Sequence, residues 1–222
     1  MQLITFSGLD GCGKSTHVTA TVDYFARRDV RAWPLPTVNI SATGVLLLFR
    51  RMLQRLGSSA LNQKTVTAPS GARIRAYSKG RSFDEDRRRK ITVIKRWLVY
   101  PFDAFALRMA LGWLSLRGFE AVVCDRYIYD KLVNLPNANC VLSTLVRWLA
   151  PTPDLALFLD VDPQRARARR EEHDARYYET KYASYRAIVD LDWGLEALDS
   201  SSVEPTQRRI EERLQSLSQS NF

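Results

Sequence analysis

The sequence predicts an α/β fold in which a parallel sheet of about five strands carries helices on both faces. Three observations predict it. Short apolar runs alternate with longer segments of helical spacing, the pattern of successive βαβ units. Residues 8 to 16 read GLDGCGKST, a full match to GxxxxGK[ST], and lie between an apolar run and a helical one. An arginine-dense segment follows the fourth apolar run, where a parallel sheet gathers its ligand-binding loops.

The first strand is expected at residues 2 to 7 (QLITFS), short and apolar enough to be buried on both faces. The turn that follows is a phosphate-binding loop. Gly8, Gly11 and Gly13 let successive backbone N–H groups curl around a polyphosphate, with Asp10 and Cys12 between them. Lys14 is placed to reach the β- and γ-phosphates, Ser15 to ligate Mg²⁺, and Thr16 supplies a second hydroxyl. ATP and Mg²⁺ are therefore the expected cofactors, and the chain is assigned a P-loop NTPase fold. A helix over 14–28 carries Val18, Val22, Phe25 and Ala26 on one face.

A second strand is expected at about 30–35, ending early in an irregular turn because Pro34 and Pro36 cannot donate to a sheet ladder. A helix is read at 43–56. Residues 57–87 turn Ser-, Gly-, Lys- and Arg-rich without period and are expected to be a mobile insertion. A long helix over about 88–117 contains Pro101, which predicts a kink or a break near Tyr100. Further strands are expected at 120–125, 154–161 and 195–199, and helices at 138–149, 163–172, 176–191 and 205–218. The whole chain, 1–222, reads as one domain around the phosphate loop, with 164–180 as a mobile arginine-rich lid.

Composition narrows the class. Of 222 residues, 45% are hydrophobic and 26% charged, as in a globular protein with one sizeable core. No apolar run approaches the roughly 20 residues a membrane span needs, and no basic, signal-type segment precedes the first strand. A cytoplasmic protein with no membrane partner is expected. Three cysteines and two well-separated histidines, His17 and His173, give little support to a zinc site or a His-based triad. The net charge of +9 favours anionic partners. Ten basic residues crowd Arg73 to Arg96 with no aromatic stacking pattern, so a phosphate-facing or solvated surface is favoured over a nucleic-acid groove.

Two further segments carry chemistry. In VVCDRY an apolar strand ends in Asp125 and Arg126, which predicts that both face the crevice of the phosphate loop. Asp125 is a candidate Mg²⁺ ligand with Ser15, and Arg126 a candidate acceptor-phosphate ligand through paired N–H donors. A strand-end salt bridge is the alternative. After Asp162-Pro163 come Arg165, Arg167, Arg169, Arg170 and Arg176, placed to close over phosphates, interleaved with acids that would otherwise pair with them.

These residues resemble the thymidylate kinases and related P-loop nucleoside monophosphate kinases. FSGLDGCGKST resembles their phosphate loop, with Asp10 as its internal acid; VVCDRY resembles their Asp-Arg-Tyr segment; PDLALFLDVDP resembles their fourth strand and following turn. By the resemblance Arg169 opens the lid, HDARYYE with Arg176 continues it, and Asp199 to Ser202 falls at the adenine-side loop. The resemblance implies transfer of the γ-phosphoryl of Mg-ATP to a nucleoside monophosphate, dTMP first, by a protein that often dimerises. Lys14, Asp10, Asp125, Arg126, Arg169 and Arg176 would be its catalytic set.

The departures lie on the acceptor side. An Arg-Glu-Pro-Gly-type segment is missing at 33–41, which read WPLPTVNIS, and IYDKLVNLP follows Tyr127 in place of small and polar residues. Phe102, Asp103, Phe105 and Arg108 match the thymine-facing helix only loosely. A kinase of another small acceptor, such as a nucleoside, sugar or specialised metabolite, and a nucleotide-dependent regulator or nucleic-acid-binding ATPase stand as alternatives.

Overall fold

The computed structural model describes residues 1–37, 82–135, 137–170 and 172–220. The helix expected at 43–56 and residues 57–81 of the expected insertion lie outside them. Five strands form one all-parallel sheet: β1 (Gln2–Ser7), β2 (Ala32–Pro36), β3 (Ala121–Asp125), β4 (Leu155–Asp160) and β5 (Leu195–Asp199), in the order β2-β3-β1-β4-β5. This is the P-loop NTPase arrangement that the alternating pattern predicts. β1 runs between β3 and β4, pairing Phe6 with Asp125 on one side and with Leu157 on the other. The chain reverses its strand order at β1, so the crevice beyond its carboxyl end is where a doubly wound sheet binds ligands.

The central strands are apolar because both of their faces are covered. Ile4, Phe6, Val122, Val123, Leu157 and Phe158 are fully buried. The helices are α1 (Lys14–Ala26), α2 (Ser82–Leu116), α3 (Tyr129–Leu132), α4 (Val141–Leu149), α5 (Pro163–Arg169), α6 (Ala175–Asp190) and α7 (Val203–Ser220). Two starts are fixed by local chemistry. Asp162 accepts from the Gln164 N–H at 2.7 Å with Pro163 in the first turn, and Asp174 accepts from the Tyr177 N–H at 2.9 Å. Each such cap is worth about 1 kcal/mol.

Two expectations are corrected. β2 does not stop before its prolines but runs through Pro34 to Pro36. Among the described residues it is an edge strand, paired with β3 alone, which is the position where a sheet tolerates proline. Of the kink or break expected near Tyr100, the break does not occur: α2 continues through Pro101 to Leu116. It also begins at Ser82, so residues 82–87 of the expected insertion are helical. Among the described residues, no helix is long and apolar enough to cross a membrane.

Candidate active site

The phosphate loop turns from β1 into α1 with Gly8, Gly11 and Gly13 all at positive φ. Gly11 permits a close approach: a Cβ there would lie 2.4 Å from the carbonyl oxygen of Ala166, on α5. The loop and the first arginine helix are therefore in backbone contact. Gly13, at φ 95°, caps α1. Gly8 and Cys12 support the loop from behind, Cys12 being buried, with burial pushing its thiol pKa up despite the nearby Lys14.

Lys14 is almost fully buried, and its ammonium donates to the carbonyls of Gly8 at 3.0 Å and Leu9 at 2.6 Å. It is thus aimed along the loop before any ligand arrives. The Ser15 hydroxyl donates to Asp125 Oδ2 at 2.9 Å, bringing together the two oxygen ligands expected for Mg²⁺. A hydroxyl beside a carboxylate is a hard donor set of the kind Mg²⁺ takes, so the residues fit the ion.

Arg126 follows directly and adopts φ 70°, a left-handed conformation uncommon outside glycine and concentrated at functional sites. Its guanidinium is gripped from two sides. Nη2 donates to Asp10 Oδ1, and Nη1 to Asp130 Oδ1 at 3.3 Å. Burial opposes its charge, but Asp130 and Asp10 overcome that and raise its pKa above the ordinary value. The backbone carbonyls of Asp125 and Arg126 are in turn held by the Thr37 hydroxyl at the end of β2.

Most of these groups open on one cavity of about 1020 Å³; Gly8 and Cys12, expected to bind the nucleotide, do not line it. Asp10, Gly11, Gly13, Lys14, Ser15 and Thr16 form one wall; Asp125 and Arg126 form the next. Pro36, Thr37, Tyr127, Asp130 and Lys131 lie on the β2–β3 side. Arg169, Arg170, Glu172 and Val203 close the side of the arginine segment. The lining holds five cations and four carboxylates; Arg126 and Arg170 are paired with lining carboxylates and Lys131 with Asp103.

Among the expected residues, Arg169 reaches this cavity, with Nη2 3.5 Å from the Ser201 carbonyl. Arg176 does not line it; it is exposed in the first turn of α6. Arg170 does line it and is paired with Glu172 at 2.7 Å, which raises its pKa. Ligand atoms of Asp10, Glu172 and His173 lie within 4.8 Å of one another, a grouping that histidine spacing did not suggest. Asp10 is paired there with Arg126 and Glu172 with Arg170. Of the residues matched to the thymine-facing helix, Asp103 is buried and accepts from Lys131 at 2.6 Å. Phe102, Phe105 and Arg108 face elsewhere: both phenylalanines are about half exposed, and Arg108 donates to the Leu149 carbonyl.

Thr37, Asp130, Lys131 and Tyr185 were missed as site residues by sequence reasoning. Each has a partner between 28 and 177 positions away, and no local motif announces such contacts. For Asp130 alone the four-residue spacing to Arg126 was a usable signal.

A phosphate loop at the switch point of a parallel sheet, with an acid and an arginine at the neighbouring strand end, defines a P-loop nucleotide-binding protein. No family model matches the chain. Over 209 residues it is 21% identical to the thymidylate kinase of Mycoplasmopsis agalactiae, an alignment that covers 86% of this chain and 83% of that protein. The chain is thus similar to a thymidylate kinase over most of its length, in agreement with the resemblance of its three motif segments.

Proposed function

We propose that the protein is a nucleotide kinase that transfers the γ-phosphoryl of Mg-ATP to a nucleoside monophosphate, with dTMP the first acceptor to test. One observation carries the reading: Lys14, the Ser15–Asp125 pair and Arg126 open on the same cavity, so groups suited to a donor phosphate and to an acceptor phosphate share one space. The name of the similar protein from M. agalactiae supports it.

The acceptor's phosphate oxygen is itself the nucleophile, so the chain's task is placement and charge neutralisation. Lys14 and the loop N–H groups hold the donor phosphates. Ser15 and Asp125 would hold Mg²⁺, which would supply charge neutralisation for the donor phosphates. Arg126 orients the acceptor phosphate, with Asp10 beside it. Arg169, and Arg176 if the segment from 164 to 180 closes as a lid, bring charge to the transferring group and exclude water.

The test is an acceptor panel with ATP and Mg²⁺, spanning nucleoside monophosphates, nucleosides and sugars. Transfer to dTMP is the expected result. Transfer to a hydroxyl acceptor alone would favour the second reading, a kinase of another small acceptor. Two observations motivate that reading: Phe102, Phe105 and Arg108 do not line the cavity, and Arg126 is already paired with two carboxylates.

A homodimer belongs to the same proposal. Phe102, Phe105, Met109, Trp113 and Leu116 are exposed at helical spacing along α2, as is Trp148 on α4. Large contiguous apolar patches on a globular surface mark association sites. Light scattering on a size-exclusion column should give twice the chain mass, and Met109→Glu should shift it toward the monomer. A wild-type monomer at micromolar concentration would remove this part of the proposal.

A further inference from the structure

Asp130 collects four donors. Its Oδ2 accepts from Ser7 Oγ at 2.7 Å and from the Tyr127 N–H at 3.0 Å; its Oδ1 accepts from the Tyr185 hydroxyl at 2.7 Å and from Arg126 Nη1 at 3.3 Å. They come from the end of β1, the turn after β3, and α6. A carboxylate has about four lone-pair sites, so this one is saturated, and its side chain is only 8% exposed. Burial and Asp130 push the Tyr185 pKa well up, which keeps its hydroxyl a donor at neutral pH.

Asp10 is held differently. It lines the cavity, and the described residues give it one hydrogen-bond partner, the same guanidinium. Among the described residues the two carboxylates on Arg126 are therefore unequal: one is locked by three donors besides the arginine, the other by the arginine alone.

We infer that Asp130 is the fixed positioning residue of Arg126, and that Asp10 is an exchangeable partner whose place on Nη2 an acceptor phosphate takes. This rests on the reading of Arg126 as the acceptor-phosphate ligand. The exchange swaps one charge-assisted hydrogen bond for another and never leaves the partly buried guanidinium without an anion, which would be the costly state. Tyr185 extends the frame: its hydroxyl also lies 3.2 Å from the Gly8 carbonyl, and its ring stacks on Phe158 at 5.0 Å. Through it, the acceptor arginine and the start of the phosphate loop share one support. That is what in-line transfer between two bound phosphates requires, because small misplacements there carry large rate penalties.

Calorimetric titration with dTMP and with AMP-PNP·Mg tests the inference. Asp130→Asn should weaken dTMP tenfold or more and leave AMP-PNP·Mg within threefold. Asp10→Asn should bind dTMP as tightly as wild type or more tightly. Equal loss of both ligands in Asp130→Asn would reduce Asp130 to a structural residue, and parallel weakening of dTMP in both variants would overturn the exchange. If wild type does not bind dTMP, the acceptor reading fails, and the frame is judged without it. Phenylglyoxal modification of Arg126, followed by peptide mass, should then run at least fivefold faster in Asp130→Asn. An unchanged rate overturns the positioning role. Should Asp130→Asn not fold, Tyr185→Phe, which keeps the ring on Phe158, should at least double the same rate; no change there counts against the inference equally.

Discussion

Ser15 Oγ donates to Asp125 Oδ2 across 2.9 Å, joining the first turn of α1 to the carboxyl end of β3, 110 residues further along the chain. Both oxygens suit a hard divalent cation. Asp125→Asn keeps the shape and removes the charge, so it should raise the Mg²⁺ concentration needed for half-maximal transfer about tenfold or more, roughly the 1.4 kcal/mol that one decade represents. A magnesium titration at saturating ATP checks this. An unchanged midpoint would remove Asp125 from the metal site.

Lys14 is the most deeply buried cation of the cavity wall, held by two carbonyls of its own loop. Lys14→Ala should lower transfer by on the order of 10²- to 10³-fold or more, the cost of losing a preorganised donor to developing charge. The fold should survive, because the sheet core does not depend on this side chain. Initial rates and a far-UV melt separate the two effects; full activity would sink the mechanism.

The legible parts of the chain were those where one physical cause acts locally. β1, β3 and β4 read as apolar runs because each is buried on both faces. The phosphate loop read itself, since glycine spacing and Lys14-Ser15 are set by backbone geometry. Edge position is not local: nothing near Pro34 and Pro36 says that β2 has a neighbour on one side only. Nor is the shape of an acceptor site. Thr37 reaches across 88 residues to Asp125, and Tyr185 across 55 to Asp130. The arginine segment shows the same limit, since helical spacing could not say that Arg169 and Arg170 line the cavity and Arg176 does not.

That difference between the arginines makes a direct comparison. Arg169→Ala should lower kcat by on the order of 10-fold or more while changing nucleotide affinity little, the pattern of an interaction made in the transition state. Arg176→Ala should do so only if the segment after residue 170 closes on the bound donor. Steady-state rates for both variants, with affinity from a fluorescent nucleotide, separate the cases. Loss of affinity alone in Arg169→Ala would assign it to ground-state binding.

The strand end also sets a pH limit. Burial, with a smaller contribution from Asp125, pushes the Cys124 thiol from 9.0 up to about 12. The folded state therefore disfavours the thiolate. A group whose pKa is raised on folding contributes stability that is complete below its unfolded value and is lost as pH climbs through the folded one, here from about 9 to about 12. Cys124→Ala removes that titration. At pH 8 the variant should be less stable than wild type by about 1 kcal/mol, from lost packing at a fully buried site. At pH 10.5 the gap should narrow, because wild type is already losing the thiol's contribution, while Tyr185 titrates in both proteins and cancels. Urea unfolding at the two pH values measures the gap. A difference that stays constant or widens would mean that the thiol remains neutral throughout, or that the folded state accepts its charge.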